Sequence, residues 1–215
     1  MGLEGIGISC ERDRRVLFEN LQFRIEPGEI LRIEGSNGTG KTTLLRIICG
    51  LFHGFQGDIL WQGEPITNDF EGYVDQVMYI GHAGAVKNSL TPEENLTWLA
   101  ALQNQQINRD DIWEALAKVG LRGYEDAPCG ALSAGQKKRV NLARLFLVKS
   151  RLWLLDEPFS SIDVDGVRNL ESQIEEHLHD DGMVMLTSHQ VLNIDHPVRS
   201  LLLQRSSANG GLQDD

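Results

Sequence analysis

The eight residues from Gly35 to Thr42, GSNGTGKT, constrain this chain more than any other stretch. They fit the pattern G-x-x-x-x-G-K-[ST], which works where a β-strand feeds a glycine-rich loop that opens straight into an α-helix. Glycine allows left-handed turns and lets backbone amides crowd around an anion, while the helix start adds the positive end of its dipole. The flanks supply both elements. GEILRIE before the loop reads as a strand, and KTTLLRIICGL, from Lys41 to Leu51, reads as a helix with its apolar residues clustered for burial. The candidate phosphate cradle is therefore Gly35, Ser36, Asn37, Gly38, Thr39, Gly40, Lys41, Thr42 and Thr43. In it Lys41 reaches the terminal phosphates of a nucleotide, and the Thr42 hydroxyl is available to Mg2+.

Around this loop, short β-rich runs alternate with helical patterns, as in an α/β fold with a mainly parallel sheet covered by helices. LQFRIEPGEILRIEG reads as two strands joined by a turn at Pro27 and Gly28. LTPEENLTWLAAL offers Thr91 as a cap, Pro92 at the first helical position and Glu94 three residues after the cap, which is a full capping box. A mostly helical insert starts there and continues through RDDIWEALAKVGL, within a helical subdomain expected over about 91–148. After it come the strand RLWLLDEP and a helix whose Val164, Val167, Leu170, Ile174 and Leu178 share one face. Strands near MVMLTSH and VRSLLLQ close a single domain expected over 1–204, and the polar, Gly-rich tail 205–215 is expected to be disordered.

With 41% apolar residues in 215, the chain suffices for one globular unit with one or two closely packed cores. Thirty-one acidic against twenty basic residues give a net charge of −11, the wrong sign for tracking a polyanion, so nucleic acid is not expected as a partner. No apolar run approaches the roughly 18 residues of a membrane span. A membrane link would go through a partner. The first residues lack the basic start, apolar middle and cleavage site of a secretory signal, and Ile6 stands where myristoylation needs Ser or Thr, so the expected place is the cytosol. Cys10, Cys49 and Cys129 are far apart, with no Cys-x-x-Cys pair, and read as buried thiols. The basic cluster Lys137, Lys138 and Arg139 reads as a solvated helix face.

Two further motifs carry chemistry. In RLWLLDEP an apolar strand delivers Asp156 and Glu157 at its end, where α/β sheets place reactive groups. Asp156 would hold magnesium, directly or through water, and Glu157 would polarise a water aimed at a γ phosphate; the bland alternative is a strand end with solvated acids. In LSAGQ, residues 132–136, Ser133 and Gln136 form a second capping box, and Gly135 leaves that helix start bare enough for a phosphate to approach.

LSAGQ resembles the signature sequence of ATP-binding cassette (ABC) proteins, usually written Leu-Ser-Gly-Gly-Gln, and the resemblance extends over nearly the whole chain. It implies a P-loop NTPase fold with a mainly parallel sheet core, an N-terminal antiparallel β part and a helical subdomain bearing the signature. It also implies hydrolysis of ATP to ADP and phosphate. In that family the signature of one subunit completes the nucleotide site of another. Ser133, Ala134, Gly135 and Gln136 would then face a partner's ATP in a head-to-tail dimer of two ATPase subunits. SSID places Asp163 at the family's inter-subunit aspartate loop, although it would equally cap the following helix, and TSH places His189 at the histidine that contacts the γ phosphate.

Two positions depart from the family. A glutamine that contacts magnesium is replaced by His82 in MYIGHAGAVKNSL, either as a working substitute or as a spectator. The aromatic residue that stacks on adenine has no counterpart in SCERDRRVLF, where Glu11 or Arg12 falls at that place and Phe18 reads as core. Together IEGSNGTGKTTLLR, LWQG, YIGHAGAVKNSLTPEENL and LSAGQKKRVNLARL resemble the ATP-binding subunits of bacterial cytochrome c maturation systems. That branch implies an integral membrane permease subunit, haem-handling maturation proteins, and a peripheral position on the cytoplasmic face of the inner membrane. Hydrolysis there drives haem export or release of a haem-loaded chaperone. The alternatives are the ATPase of another transporter and a soluble ABC protein without a transport role.

Overall fold

In a computed structural model describing residues 2–81 and 85–204, the chain opens with β1 (Leu3–Arg12) and β2 (Arg15–Ile25). Asp13 and Arg14 between them have φ of 53° and 59°, the left-handed pair whose twist matches a tight hairpin. After the turn at Pro27–Gly28 the chain leaves this hairpin, and β3 (Ile30–Glu34) enters a different sheet. Helix α1 (Lys41–Ile48) follows the glycine loop, and β4 (Phe55–Trp61) and β5 (Glu64–Pro65) return to the first sheet. A short α2 (Phe70–Val74) leads to β6 (Val77–Ile80). Next come α3 (Pro92–Ala101), α4 (Arg109–Lys118) and α5 (Ala134–Leu142), with 3-10 turns at Cys129–Ala131 and Ala143–Phe146. The order ends β7 (Leu152–Asp156), α6 (Val164–His179), β8 (Met183–Thr187) and β9 (Val198–Leu202). The first sheet is antiparallel in the order β2-β1-β4-β5, and the second is parallel in the order β6-β7-β8-β3-β9.

Both faces of the parallel sheet are covered, and strand alternation divides the apolar runs between them. From β7, Leu152 and Leu154 join Leu44 and Ile48 of α1 and Ile25 of β2 in one core. Trp153 and Leu155 point the other way, into a second core with Val140 of α5 and Leu170 and Ile174 of α6. β8 repeats this, with Met183 and Met185 on the first face and Val184 and Leu186 on the second. LWLL and MVML are therefore apolar at every position because both of their faces are inside.

Local chemistry sets the helix starts. At α3 the Thr91 hydroxyl accepts from the Glu94 amide at 3.2 Å, and the Glu94 carboxylate accepts from the Thr91 amide at 2.9 Å, the expected capping box. On α6, Leu170, Ile174 and Leu178 are buried and Val167 packs against them, but Val164 is 67% exposed. The helix begins ahead of the sheet, so its first apolar residue projects past the core. The three cysteines are buried thiols, and burial raises their pKa, that of Cys49 to about 11, so they stay protonated.

His177 of α6 stacks on Trp153, with ring centroids 3.8 Å apart and planes 3° from parallel. Burial pushes its imidazole down to about 4, below the ordinary 6.5. The unfolded chain therefore takes up this proton first, and stability is lost as pH falls from 6.5 toward 4. His177→Phe keeps a flat ring against Trp153 but cannot be protonated. Its melting temperature should fall less than that of the wild type between about pH 7 and about pH 5; equal slopes would remove His177 as the source.

Candidate nucleotide site

The register of the parallel sheet decides which residues meet. β8 pairs with both β3 and β7, placing Thr187 opposite Ile33 on one side and Asp156 on the other. The glycine loop, the acidic pair and the TSH segment thus emerge side by side at the carboxyl ends of adjacent strands, where such sheets bind ligands.

In the loop, Gly35 has φ 148°, and a Cβ there would lie 2.7 Å from both the Leu203 carbonyl and the Thr39 hydroxyl. Gly40, φ 95°, rests on the hairpin, where a Cβ would meet the Phe18 ring at 2.9 Å. These are close approaches that only glycine permits. The Thr39 amide and hydroxyl both donate to the Ser36 carbonyl, at 3.3 and 2.9 Å, and the Lys41 ammonium folds back to the Gly35 carbonyl at 2.6 Å. Ser36, Asn37 and Gly38 are exposed on the crest, whereas Thr39 and Thr43 are buried beneath it.

Behind the loop, Asp156 is 2% exposed. A carboxylate so placed needs donors, and it has one on each oxygen: the Thr42 hydroxyl at 2.8 Å and the Thr187 hydroxyl at 2.9 Å. Thr187 in turn accepts from the Glu157 amide at 2.8 Å. The next residue, Glu157, has φ 52°, a left-handed backbone unusual for a side chain of its size. Its carboxylate lies 3.4 Å from Nε2 of His189, which stands exposed after β8. Thr42 and Asp156 bring two hard oxygen ligands together, the kind magnesium takes alongside phosphate oxygens. Among the described residues there is no metal cage of three or more His, Cys, Asp or Glu.

Ser133 caps α5 with the expected box, its hydroxyl accepting from the Gln136 amide at 3.2 Å and its amide donating to the Gln136 side chain at 2.9 Å. Ser133 and Ala134 are exposed, so this second helix start is open to a ligand. A Cβ on Gly135 would sit 3.0 Å from the Ser161 carbonyl, which brings the signature against the segment that follows Glu157. Asp163 caps α6 through the Gly166 amide at 2.8 Å and also pairs with Arg139 at 3.3 Å. The basic cluster is consequently not a solvated face. Lys137, Lys138 and Arg139 are half-buried, and Lys138 donates to the Glu157 carbonyl and the Ser160 hydroxyl, because α5 packs along this segment. His82 lies outside the described residues, as does the tail 205–215. Phe18 is buried at 3% and serves as the floor under Gly40. Glu11 lines a cavity of about 430 Å3 beside the hairpin, with Cys10, Val16, His53 and Phe55. Thr187 was not legible as a site residue: a buried hydroxyl has no sequence pattern, and only its place beside Ser188 and His189 at a strand end hinted at it.

A glycine loop, an acidic strand end and a second capped helix start on one parallel sheet define a nucleotide-binding subunit of the ABC class. Residues 18–160 match the ABC transporter family. The cytochrome c biogenesis ATP-binding export protein CcmA of Pseudomonas fluorescens is 49% identical over 89% of this chain and 90% of its own length. That of Vibrio parahaemolyticus is also 49% identical, over 91% and 95%. Among solved structures, a putative ABC transporter ATP-binding protein from Pyrococcus furiosus superposes with a TM-score of 0.78 at 28% identity, covering 94% of this chain and 96% of that one. The chain belongs to the ABC transporter family and, within it, to the family of the cytochrome c biogenesis ATP-binding export proteins.

Thr187→Val should leave the Glu157 amide and one Asp156 oxygen without their partner. A loss of about 1–3 kcal/mol in equilibrium urea unfolding is expected. A stability unchanged from wild type would show that the chain of hydrogen bonds is dispensable.

Proposed function

We propose that this chain hydrolyses ATP to ADP and phosphate as the motor subunit of a membrane export complex serving cytochrome c maturation. The observation that carries the reading is the chain Thr42, Asp156, Thr187, Glu157, which joins a glycine phosphate loop to a carboxylate held in a left-handed turn. The names of the relatives supply the setting of cytochrome c biogenesis and export, and by the family resemblance of the sequence the work done would be haem export or release of a haem-loaded chaperone.

In this reading the amides of Gly35 to Thr43 bind the β and γ phosphates, and Lys41 exchanges its carbonyl partner for phosphate oxygens. Thr42 and Asp156 would hold Mg2+, and His82, by its sequence position alone, is either a further ligand or a spectator. Bound there, the ion neutralises charge on the phosphates. Glu157 orients the attacking water and accepts its proton, and His189 donates a hydrogen bond to the γ phosphate. Ser133, Ala134, Gly135 and Gln136 close the site of a second subunit, with Asp163 at the seam, so two ATP molecules lie between two chains arranged head to tail. Residues 1–204 form the one nucleotide-binding domain, with a helical subdomain over about 91–148. Among the described residues no helix is long and apolar enough to cross a membrane. In this reading, which rests on the likeness to export-system subunits, the chain works through an integral membrane permease subunit and haem-handling partners, peripherally at the cytoplasmic face of the bacterial inner membrane.

Glu157→Gln removes the base and keeps the shape. Phosphate release should fall by about 10²-fold or more while ATP still binds, and the dimer should persist in ATP. Turnover at the wild-type rate would refute the assigned role. The same variant, tagged and solubilised gently with ATP, should bring down a small polytopic membrane protein together with haem-handling proteins. A different permease would keep the ATPase and discard the haem setting.

A further inference from the structure

Three residues of helix α5, Gly135, Lys138 and Arg139, meet the segment from Glu157 to Asp163. Gly135 lies under the Ser161 carbonyl, Arg139 pairs with Asp163, and Lys138 reaches the Glu157 carbonyl. Only the last contact falls on the backbone of Glu157 itself. That backbone is held from both sides. Its amide donates to Thr187 at 2.8 Å, and its carbonyl accepts from the Ser160 amide at 3.2 Å, from the Ser160 hydroxyl at 3.1 Å and from Lys138. Lys138 also donates to the Ser160 hydroxyl, which closes a ring of three groups. A non-glycine residue keeps a left-handed φ only where its surroundings over-determine it, and here the surroundings include a side chain from the signature helix. Lys138 is half-buried: burial lowers its pKa, while the charges of Glu157 and Asp156 act in the opposite direction.

We propose that Lys138 is a positioning residue for hydrolysis: by gripping the Glu157 carbonyl from α5, it makes the aim of the Glu157 carboxylate depend on where the signature helix sits. The proposal rests on the reading of Glu157 as the water-directing base. It adds a link within one chain. In the proposed dimer the start of α5 faces the nucleotide of the second subunit, while Lys138, about 7 Å further along the helix at 1.5 Å per residue, reaches back to the backbone of this chain's own Glu157. A shift of α5 when the neighbouring ATP docks would pass to Glu157 through one ammonium group.

The test uses the full chain assembled with its membrane partner and carrying Lys138→Ala or Lys138→Arg, each also placed in the Glu157→Gln background. Lys138→Ala should lower kcat about tenfold and leave KM for ATP within about twofold, since the phosphate loop is untouched. Lys138→Arg, which can still donate to both oxygens, should restore kcat to within about threefold of wild type. In Glu157→Gln the alanine change should leave the residual rate unmoved, because the group it aims is gone. Wild-type kcat in Lys138→Ala would overturn the proposal, as would a rise in KM matching the fall in kcat, or the same loss in the Glu157→Gln background. If Glu157→Gln itself keeps wild-type turnover, the reading of Glu157 fails and the proposal fails with it; a failure confined to the Lys138 variants leaves that reading standing.

Discussion

The site depends on one buried carboxylate. Asp156 is nearly sealed from water, and a charge in that place is tolerable only when its oxygens are matched by donors. The donors come from Thr42, at the start of α1, and Thr187, at the end of β8. Three elements distant in sequence are thereby locked at one corner of the parallel sheet. With the corner set, the glycine loop faces the acidic strand end, and the Glu157 amide has a fixed anchor in Thr187.

The glycine loop reaches this corner through the antiparallel sheet. The hairpin of β1 and β2 places Phe18 beneath Gly40, so the glycine loop lies on a hydrophobic floor. Phe18 is itself committed to the core, and its ring also borders the cavity beside the hairpin. That cavity has a mixed wall, in which Glu11, Val16 and His53 stand beside the rings of Phe18 and Phe55.

Charge is arranged along the segment that follows Glu157. Arg139 meets Asp163, and Lys138 meets a carbonyl, so two of the three basic residues of α5 are engaged within the fold instead of facing solvent. The contact at Gly135 allows backbone to approach backbone at the signature. Helix α5 thus has an exposed start at Ser133 and Ala134 and a body tied to the Glu157 carbonyl, two features that local sequence would not separate.

By itself the sequence determined what is local. The glycine loop with its strand and helix, the capping boxes at Thr91 and Ser133, the cap at Asp163 and the apolar β7 and β8 depend on residues within a few positions of one another, so spacing suffices to read them. The tertiary structure decided what depends on strand order. That β8 lies between β3 and β7, that Thr187 serves Asp156 and Glu157, that Lys138 leaves solvent for the Glu157 carbonyl and that Val164 overshoots the core all follow from how distant elements dock. Hydrophobic periodicity tells a side chain to face inward, but the hydroxyl or carbonyl it meets there belongs to whichever strand packs beside it, and no short-range pattern encodes that neighbour.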